Sequence, residues 1–276
     1  MNLPPLDVPR LLLQAGIRPD KRLGQNFLLD ESALHKVVAA AQIEPQDTVL
    51  EIGAGLGSLT RLLALASSRV VAVELDGRLI PLLNEVLTPY PNVQILQGDI
   101  LTINLTQHLP HPDYLVVANI PFYITSAVIR HLLELASPPR RFVLTVQSEV
   151  AERICAEPGD MSLLALSVQV YGQPQVTAHI PAEAFYPAPE VDSAVVRVDL
   201  YPTPRIPEQF LDVFFRLVKA GFSQKRKTLR NSMAGGLGWA PSQAAQLLQN
   251  AGIDPIRRAE TLSISEWEQL VRAYSL

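Results

Sequence analysis

The residues best suited to chemistry fall at the ends of successive apolar runs. Val49-Leu-Glu-Ile-Gly-Ala-Gly-Leu-Gly57 carries one such run straight into three glycines at alternate positions. Glycine lets a backbone turn sharply and pass close to a ligand. Glu74 ends a second run that begins at Val70, Asp99 ends a third that begins at Val93, and Asn119 ends a fourth that begins at Tyr114. Ligand-binding groups at four successive strand ends describe a crevice along the carboxyl edge of a parallel sheet.

Two cofactor classes use a glycine-rich turn followed by an acid: dinucleotides and S-adenosylmethionine. Glu74 lies 21 residues after Gly53, the right separation for a carboxylate that accepts from both hydroxyls of an unphosphorylated ribose. The glycine spacing is Gly-x-Gly-x-Gly, not the Gly-x-Gly-x-x-Gly that seats a pyrophosphate on a helix N-terminus. Asp99, at the third strand end, can accept from the exocyclic amine of an adenine. Either acid alone would read as a solvated loop residue; the ordered set of glycines and acids reads as an adenosine site.

Asn119-Ile-Pro-Phe122 supplies a second kind of chemistry. Pro121 keeps the residue before it extended, which aims the Ile120 carbonyl outward beside the Asn119 amide. Two such acceptors suit an exocyclic amine whose lone pair is conjugated into a purine, because hydrogen bonds to the amine protons localise that lone pair. Phe122 offers a ring face for a stacked base. This chemistry requires no strong general base and no metal, and the sequence presents no metal-ligand spacing. In isolation the segment would read as an Asn-Pro turn with Phe in the core.

The elements that must position these groups follow from periodicity. Strands are expected at 48–53, 70–75, 93–97, 114–118 and 141–147, and helices at 31–41, 56–66, 77–87 and 125–136, the alternation of a parallel sheet covered on both faces. Residues 162–171 fit either strand or helix. Val191–Leu200 alternates apolar and polar, as a late, antiparallel strand would. Three prolines in Tyr201–Pro207 exclude both a helix interior and a central strand and place the boundary between a cofactor-binding domain, 1–203, and a helical domain, 204–276. In the latter, Phe210, Phe214, Leu217 and Val218 share an apolar face, and Ser263 with Glu266 fits a capping box.

The chain has 276 residues, 48% hydrophobic, with one cysteine. That length supports one sizeable core plus a smaller domain, and a single cysteine excludes a disulfide framework. No apolar stretch reaches the roughly 20 residues of a membrane span, and Leu11–Leu13 is too short for a signal-peptide core; a cytoplasmic protein with no membrane partner is expected. The net charge of −4 divides into −8 over residues 1–200 and +4 over 201–276. Lys219, Lys225, Arg226, Lys227 and Arg230 place five cations in twelve residues without an acid. Such a run is often a solvated helix face; here it follows a linker into the basic part of the chain, an arrangement suited to tracking phosphates. Arg18, Lys21 and Arg22 extend the track.

Taken together these segments resemble the KsgA family of ribosomal RNA adenine dimethyltransferases, over residues 18–275. Gly24-Gln-Asn-Phe-Leu28 is similar to the family's N-terminal cofactor segment, Val49–Gly57 with Glu74 and Asp99 to its S-adenosylmethionine positions, and Asn119–Phe122 to its Asn-Leu-Pro-Tyr catalytic loop. Phe185-Tyr-Pro-Ala-Pro-Glu-Val-Asp-Ser193 resembles its Phe-x-Pro-x-Pro-x-Val-x-Ser motif, and Phe222–Asn231 its basic segment. The resemblance implies a Rossmann-like class I methyltransferase sheet with helices on both faces and a small all-helical C-terminal domain. It implies that Asn26 and Leu28 lie over the cofactor, that Gly53 and Gly55 approach its methionine, and that Glu74 and Asp99 take its ribose and adenine. Asn119 would hold the target amine, with Pro121 shaping the loop and Phe122 and Phe185 against the target base.

The implied activity is dimethylation of two adjacent adenosines near the 3′ end of small-subunit rRNA, in its 3′-terminal hairpin or an assembly intermediate. The chain departs from the family at Phe122, where Tyr is usual, which keeps the stacking face and drops a hydroxyl. It departs again at Glu157–Met161, where relatives carry a Lys and a Tyr-Gly pair. Three rivals are a large-subunit enzyme of the macrolide-resistance type, a non-catalytic assembly factor, and an NAD-dependent oxidoreductase. The Gln224–Arg230 segment favours the small subunit, the intact Asn119–Phe122 favours catalysis, and the glycine spacing disfavours NAD. With every apolar helix assigned to a core, a monomer is expected.

Overall fold

The computed structural model describes residues 3–109 and 113–275. The chain divides into two compact units. One comprises residues 1–151 and 175–200, the other residues 152–174 and 201–276.

The first unit is built on a seven-stranded mixed sheet. Strands β1 (Phe27–Leu28), β2 (Thr48–Ile52), β3 (Arg69–Glu74), β4 (Val93–Gln97), β5 (Leu115–Asn119), β6 (Arg141–Gln147), β7 (Gly172–Ile180), β8 (Phe185–Tyr186) and β9 (Ser193–Leu200) follow in chain order. The sheet runs β4-β3-β2-β5-β6-β9-β7. Strands β4 to β6 are parallel, and β9 returns antiparallel to β6. The expected strands are therefore present, each within a residue or two of its predicted bounds. Both side-chain parities of β2 and β5 are buried, which is why they read in the sequence as unbroken apolar runs.

Helices α1 (Val8–Gln14), α2 (Glu31–Ala41), α3 (Ser58–Ala66), α4 (Ile80–Leu87) and α5 (Thr125–Glu134) accompany the sheet. On one face Leu34 and Val37 of α2, Leu59 and Leu63 of α3 and Leu83 of α4 pack with Val49, Val70, Leu115 and Val143. α3 and α4 start two and three residues later than expected. Gly57, at φ +89°, caps the first. Before the second, Asp76 folds residues 76–79 into a turn by accepting from the Arg78 backbone N–H.

The strand order reverses between β2 and β5, and their carboxyl ends form the crevice that open α/β sheets use for ligands. A two-residue ladder, Phe27 opposite Tyr186 and Leu28 opposite Phe185, fastens the N-terminal segment to the Phe185–Ser193 motif.

The second unit contains α7 (Leu163–Gln169), α8 (Leu211–Gly221), α9 (Leu229–Leu237), α10 (Pro241–Asn250) and α11 (Ile264–Tyr274); α6 (Ser148–Ile154) ends within its range. Residues 162–171 resolve into α7. The sequence boundary at 203 marks where the chain returns to this unit, but the unit also takes in 152–174. Met161, Ala165, Leu166 and Val170 join Phe214, Leu217 and Trp267 in one core. That addition lowers the unit's charge to eleven cations against nine acids. The divergent Glu157–Met161 loop is held by backbone hydrogen bonds from Gly159 and Met161 to the Glu260 carbonyl. The capping box at Ser263 and Glu266 forms as expected.

Candidate active site

The glycine turn is set by backbone chemistry. Gly53, Gly55 and Gly57 all have positive φ, a region that side chains with a Cβ populate poorly. At Gly55 a Cβ would also stand 3.1 Å from the Phe27 ring, and at Gly53 one would stand 3.3 Å from the Asn119 carbonyl oxygen. A side chain at Gly53 or Gly55 would therefore be both conformationally strained and tightly packed.

Glu74 links the turn to the β3 end. It is 6% exposed. Its Oε2 accepts from the Gly55 N–H at 2.7 Å and its Oε1 from the Asp76 N–H at 2.7 Å. Each carboxylate oxygen retains acceptor capacity for a further donor. Burial pushes the Glu74 carboxyl above the usual range, while the two backbone N–H groups oppose that shift and the neighbouring Asp76 charge adds to it. Glu51, one residue before Ile52 on β2, is fully buried and is pushed up to about 8 by burial first; the Thr60 hydroxyl opposes the shift and the Glu74 charge adds to it. Among the described residues its Oε2 has no hydrogen-bond partner.

The N-terminal segment is fastened over this edge. Gln25 Nε2 donates to Asp76 Oδ2 at 2.8 Å, and Gln25 Oε1 accepts from the Asp20 N–H at 2.7 Å. The Arg78 side chain forks onto Asp76, with 2.9 Å from Nε to Oδ1 and 2.6 Å from Nη2 to Oδ2, and holds the Asp76 carboxyl below the usual range. Asn119 Nδ2 donates to the Asn26 carbonyl at 3.0 Å. That bond engages one of the two N–H donors of the Asn119 amide, and Oδ1 keeps its acceptor capacity.

The crevice is lined by Asn26, Gly53, Gly55, Glu74, Asp99 and Asn119, together with Pro121, Phe122 and Phe185. Nearly all the residues expected to bind cofactor or target thus share one cavity. Leu28 does not: it is 4% exposed and packs in the core beside Phe185, because the short β1 ladder turns it inward. Asp99 stands in the turn two residues beyond β4, where its Oδ1 accepts from the Leu101 N–H at 2.9 Å. Phe185, at 5% exposure, belongs to the core as well as to the wall.

Sequence reasoning missed Gln25, Asp76 and Tyr123. Gln25 and Asp76 meet only through the fold, although Gln25 stands in the quoted Gly24–Leu28 motif. Tyr123 lines the crevice beside Phe122; a tandem aromatic after Pro121 was the available signal.

These acceptors suit the donors of a nucleoside with free ribose hydroxyls and a purine amine. Glu74 and Asp99 offer anionic acceptors, and the glycine turn offers a close-packed backbone. The five cations of the basic run belong to the second unit. Lys219 lies in the last turn of α8, Lys225, Arg226 and Lys227 are exposed in the α8–α9 connection, and Arg230 is half-buried in α9. Among the described residues none of the five is ion-paired.

A family model described as ribosomal RNA adenine dimethylase matches residues 17–274. Among similar curated proteins, ribosomal RNA small subunit methyltransferase A of Dehalococcoides mccartyi is 47% identical over 279 residues, covering 97% of this chain and 94% of the relative. The protein of the same name from Desulfitobacterium hafniense is 44% identical over 268 residues, covering 96% and 95%. Among solved structures, a dimethyladenosine transferase from Plasmodium falciparum superposes with a TM-score of 0.77 at 25% identity, covering 90% of this chain and 97% of that one. The 23S rRNA methyltransferase ErmE superposes with a TM-score of 0.74 at 26% identity, covering 91% and 100%.

Proposed function

Because the chain belongs to the ribosomal RNA adenine dimethylase family, we propose that it dimethylates the N6 amines of two adjacent adenosines near the 3′ end of small-subunit rRNA, using S-adenosylmethionine, during ribosome biogenesis. The observation that carries this reading is the Asn119 amide. It is anchored through Nδ2 on the Asn26 carbonyl, and Asn119 lines the same cavity as Gly53, Gly55, Glu74 and Asp99, where its oxygen would meet the target amine.

S-adenosylmethionine supplies the electrophilic methyl group on its sulfonium. Glu74 would accept from its ribose hydroxyls and Asp99 from its adenine amine, with the glycine turn against its methionine portion. Asn119 Oδ1 and the Ile120 carbonyl would accept the target amine protons and localise its lone pair. Phe122 would hold the base plane by stacking, and Phe185 would close the wall behind it. The amine needs no strong base, since its proton becomes acidic as the nitrogen is alkylated and can leave to water. A target adenine must leave its stack to enter, which is easier in a loop than in a duplex.

The small subunit is favoured over the large by sequence. Relatives named for the small subunit are 40–47% identical over nearly the whole chain, against 26% for the large-subunit enzyme ErmE. The test is methyl transfer from labelled S-adenosylmethionine to unmethylated small subunits, with unmethylated large-subunit RNA in parallel. Label in the small subunit alone is expected. Label only in large-subunit RNA would reverse the assignment, and bound cofactor without transfer would indicate a non-catalytic assembly factor.

A further inference from the structure

Among the described residues, Tyr123 is the large aromatic at the crevice that is mostly open: the residue is 62% exposed although it lines the cavity. Its neighbour Phe122 is half-buried and Phe185 is buried. A solitary exposed aromatic is ordinary. This one is braced. One edge of its ring, Cδ1 and Cε1, lies 3.3 and 3.2 Å from where a Cβ on Gly24 would stand. Gly24 is in the left-handed region at φ +60° and ends the turn Lys21–Leu23, and a Cβ there would also meet Pro121 at 2.8 Å. The backbone thus leaves room for a ring that has one edge supported and the rest open at the mouth of the cavity. Lys21 and Arg22, both exposed, sit on the turn that supports it.

Drawing one base out of a single strand strips its neighbour of a stacking partner. Enzymes that extrude a base gain both affinity and context preference from contacts to flanking nucleotides, and an exposed aromatic replaces lost stacking for any base. We propose that Tyr123 is a second stacking platform, which holds the nucleobase adjacent to the methylation target in single-stranded RNA while Phe122 takes the target itself. This rests on the reading of the crevice as an adenine-N6 methylation site.

The test is a binding cycle in the presence of S-adenosylhomocysteine. Wild type, Tyr123→Ala and Tyr123→Phe are titrated with a single-stranded RNA carrying 2-aminopurine next to the target adenosine, and with a twin carrying an abasic site there. Wild type and Tyr123→Phe are expected to prefer the base-bearing RNA by about tenfold and to quench its fluorescence. Tyr123→Ala is expected to bind the two RNAs equally, with S-adenosylhomocysteine affinity unchanged. If Tyr123→Ala keeps the wild-type preference, the platform is refuted while the methylation reading stands. The same holds if the variant loses only S-adenosylhomocysteine affinity, which would make the ring a brace for the N-terminal segment. Failure of wild type to bind either RNA would count against the methylation reading itself, and the platform would fall with it.

Discussion

Glu74→Gln separates the carboxylate's work on the protein from its work on the ligand. The side chain keeps its shape, but the amide can satisfy only one of the two backbone N–H groups, on Gly55 and Asp76, that now approach at 2.7 Å. The other N–H would face an NH₂ group. A hydrogen bond to a charged group is worth about 1.5–3 kcal/mol. Burial of the charge opposes that loss, because the Glu74 carboxyl is already pushed up by desolvation, and neutralising it removes that cost. The two effects should leave the stability of the ligand-free protein within about 1.5 kcal/mol of wild type. The ligand has no such compensation: the loss of an anionic acceptor for the ribose should weaken S-adenosylhomocysteine binding by about 1.5–3 kcal/mol, roughly 10- to 150-fold in Kd. Calorimetric titration gives the affinity and urea unfolding the stability. A Kd within twofold of wild type would refute the ribose assignment. Unfolding weakened by more than about 3 kcal/mol with affinity preserved would make Glu74 a structural acceptor only.

Three further outcomes follow from the same geometry. An ordinary Glu ionises near 4.5 while burial holds Glu51 up to about 8, so between those values the unfolded chain releases a proton that the folded chain keeps. Stability should therefore fall as pH rises through that window, by up to about 5 kcal/mol, and Glu51→Gln should flatten the fall; equal unfolding free energies for the wild type at pH 5 and 8 in urea would contradict it. Phe122→Ala should cut single-turnover methylation of unmethylated small subunits about tenfold or more, with S-adenosylhomocysteine affinity unchanged, while Phe122→Tyr stays near wild type; full activity in Phe122→Ala would remove the stacking role. Replacing Lys225, Arg226 and Lys227 with Ala should reduce the slope of log affinity against log salt by about 2, at roughly 0.7 per single-strand phosphate contact, and an unchanged slope would reject the phosphate track.

The crevice edge was legible because each of its parts is local. Buried parallel strands write themselves as apolar runs, and the glycines and acids stand where those runs stop. Asn119 and Phe122, which line the same crevice, stand at the end of such a run as well. What escaped was long-range. Leu28, expected over the cofactor from its motif, is instead paired with Phe185 in a two-residue ladder and packed in the core, and a strand that short carries no periodicity. The Gln25–Asp76 bond joins residues 51 positions apart. Residues 152–174 followed the sheet in sequence but pack with the helices after 201, and the prolines that marked one passage between units gave no sign of the other.

The most direct test of methylation at an amine held by Asn119 is the nucleoside product made by wild type and Asn119→Ala on unmethylated small subunits, with S-adenosylhomocysteine affinity measured for both. Wild type is expected to yield N6,N6-dimethyladenosine, and the variant at least tenfold less product, beyond any loss of S-adenosylhomocysteine affinity. Undiminished dimethyladenosine from Asn119→Ala would contradict it, since the amine would then be held by something other than the amide that Asn26 anchors.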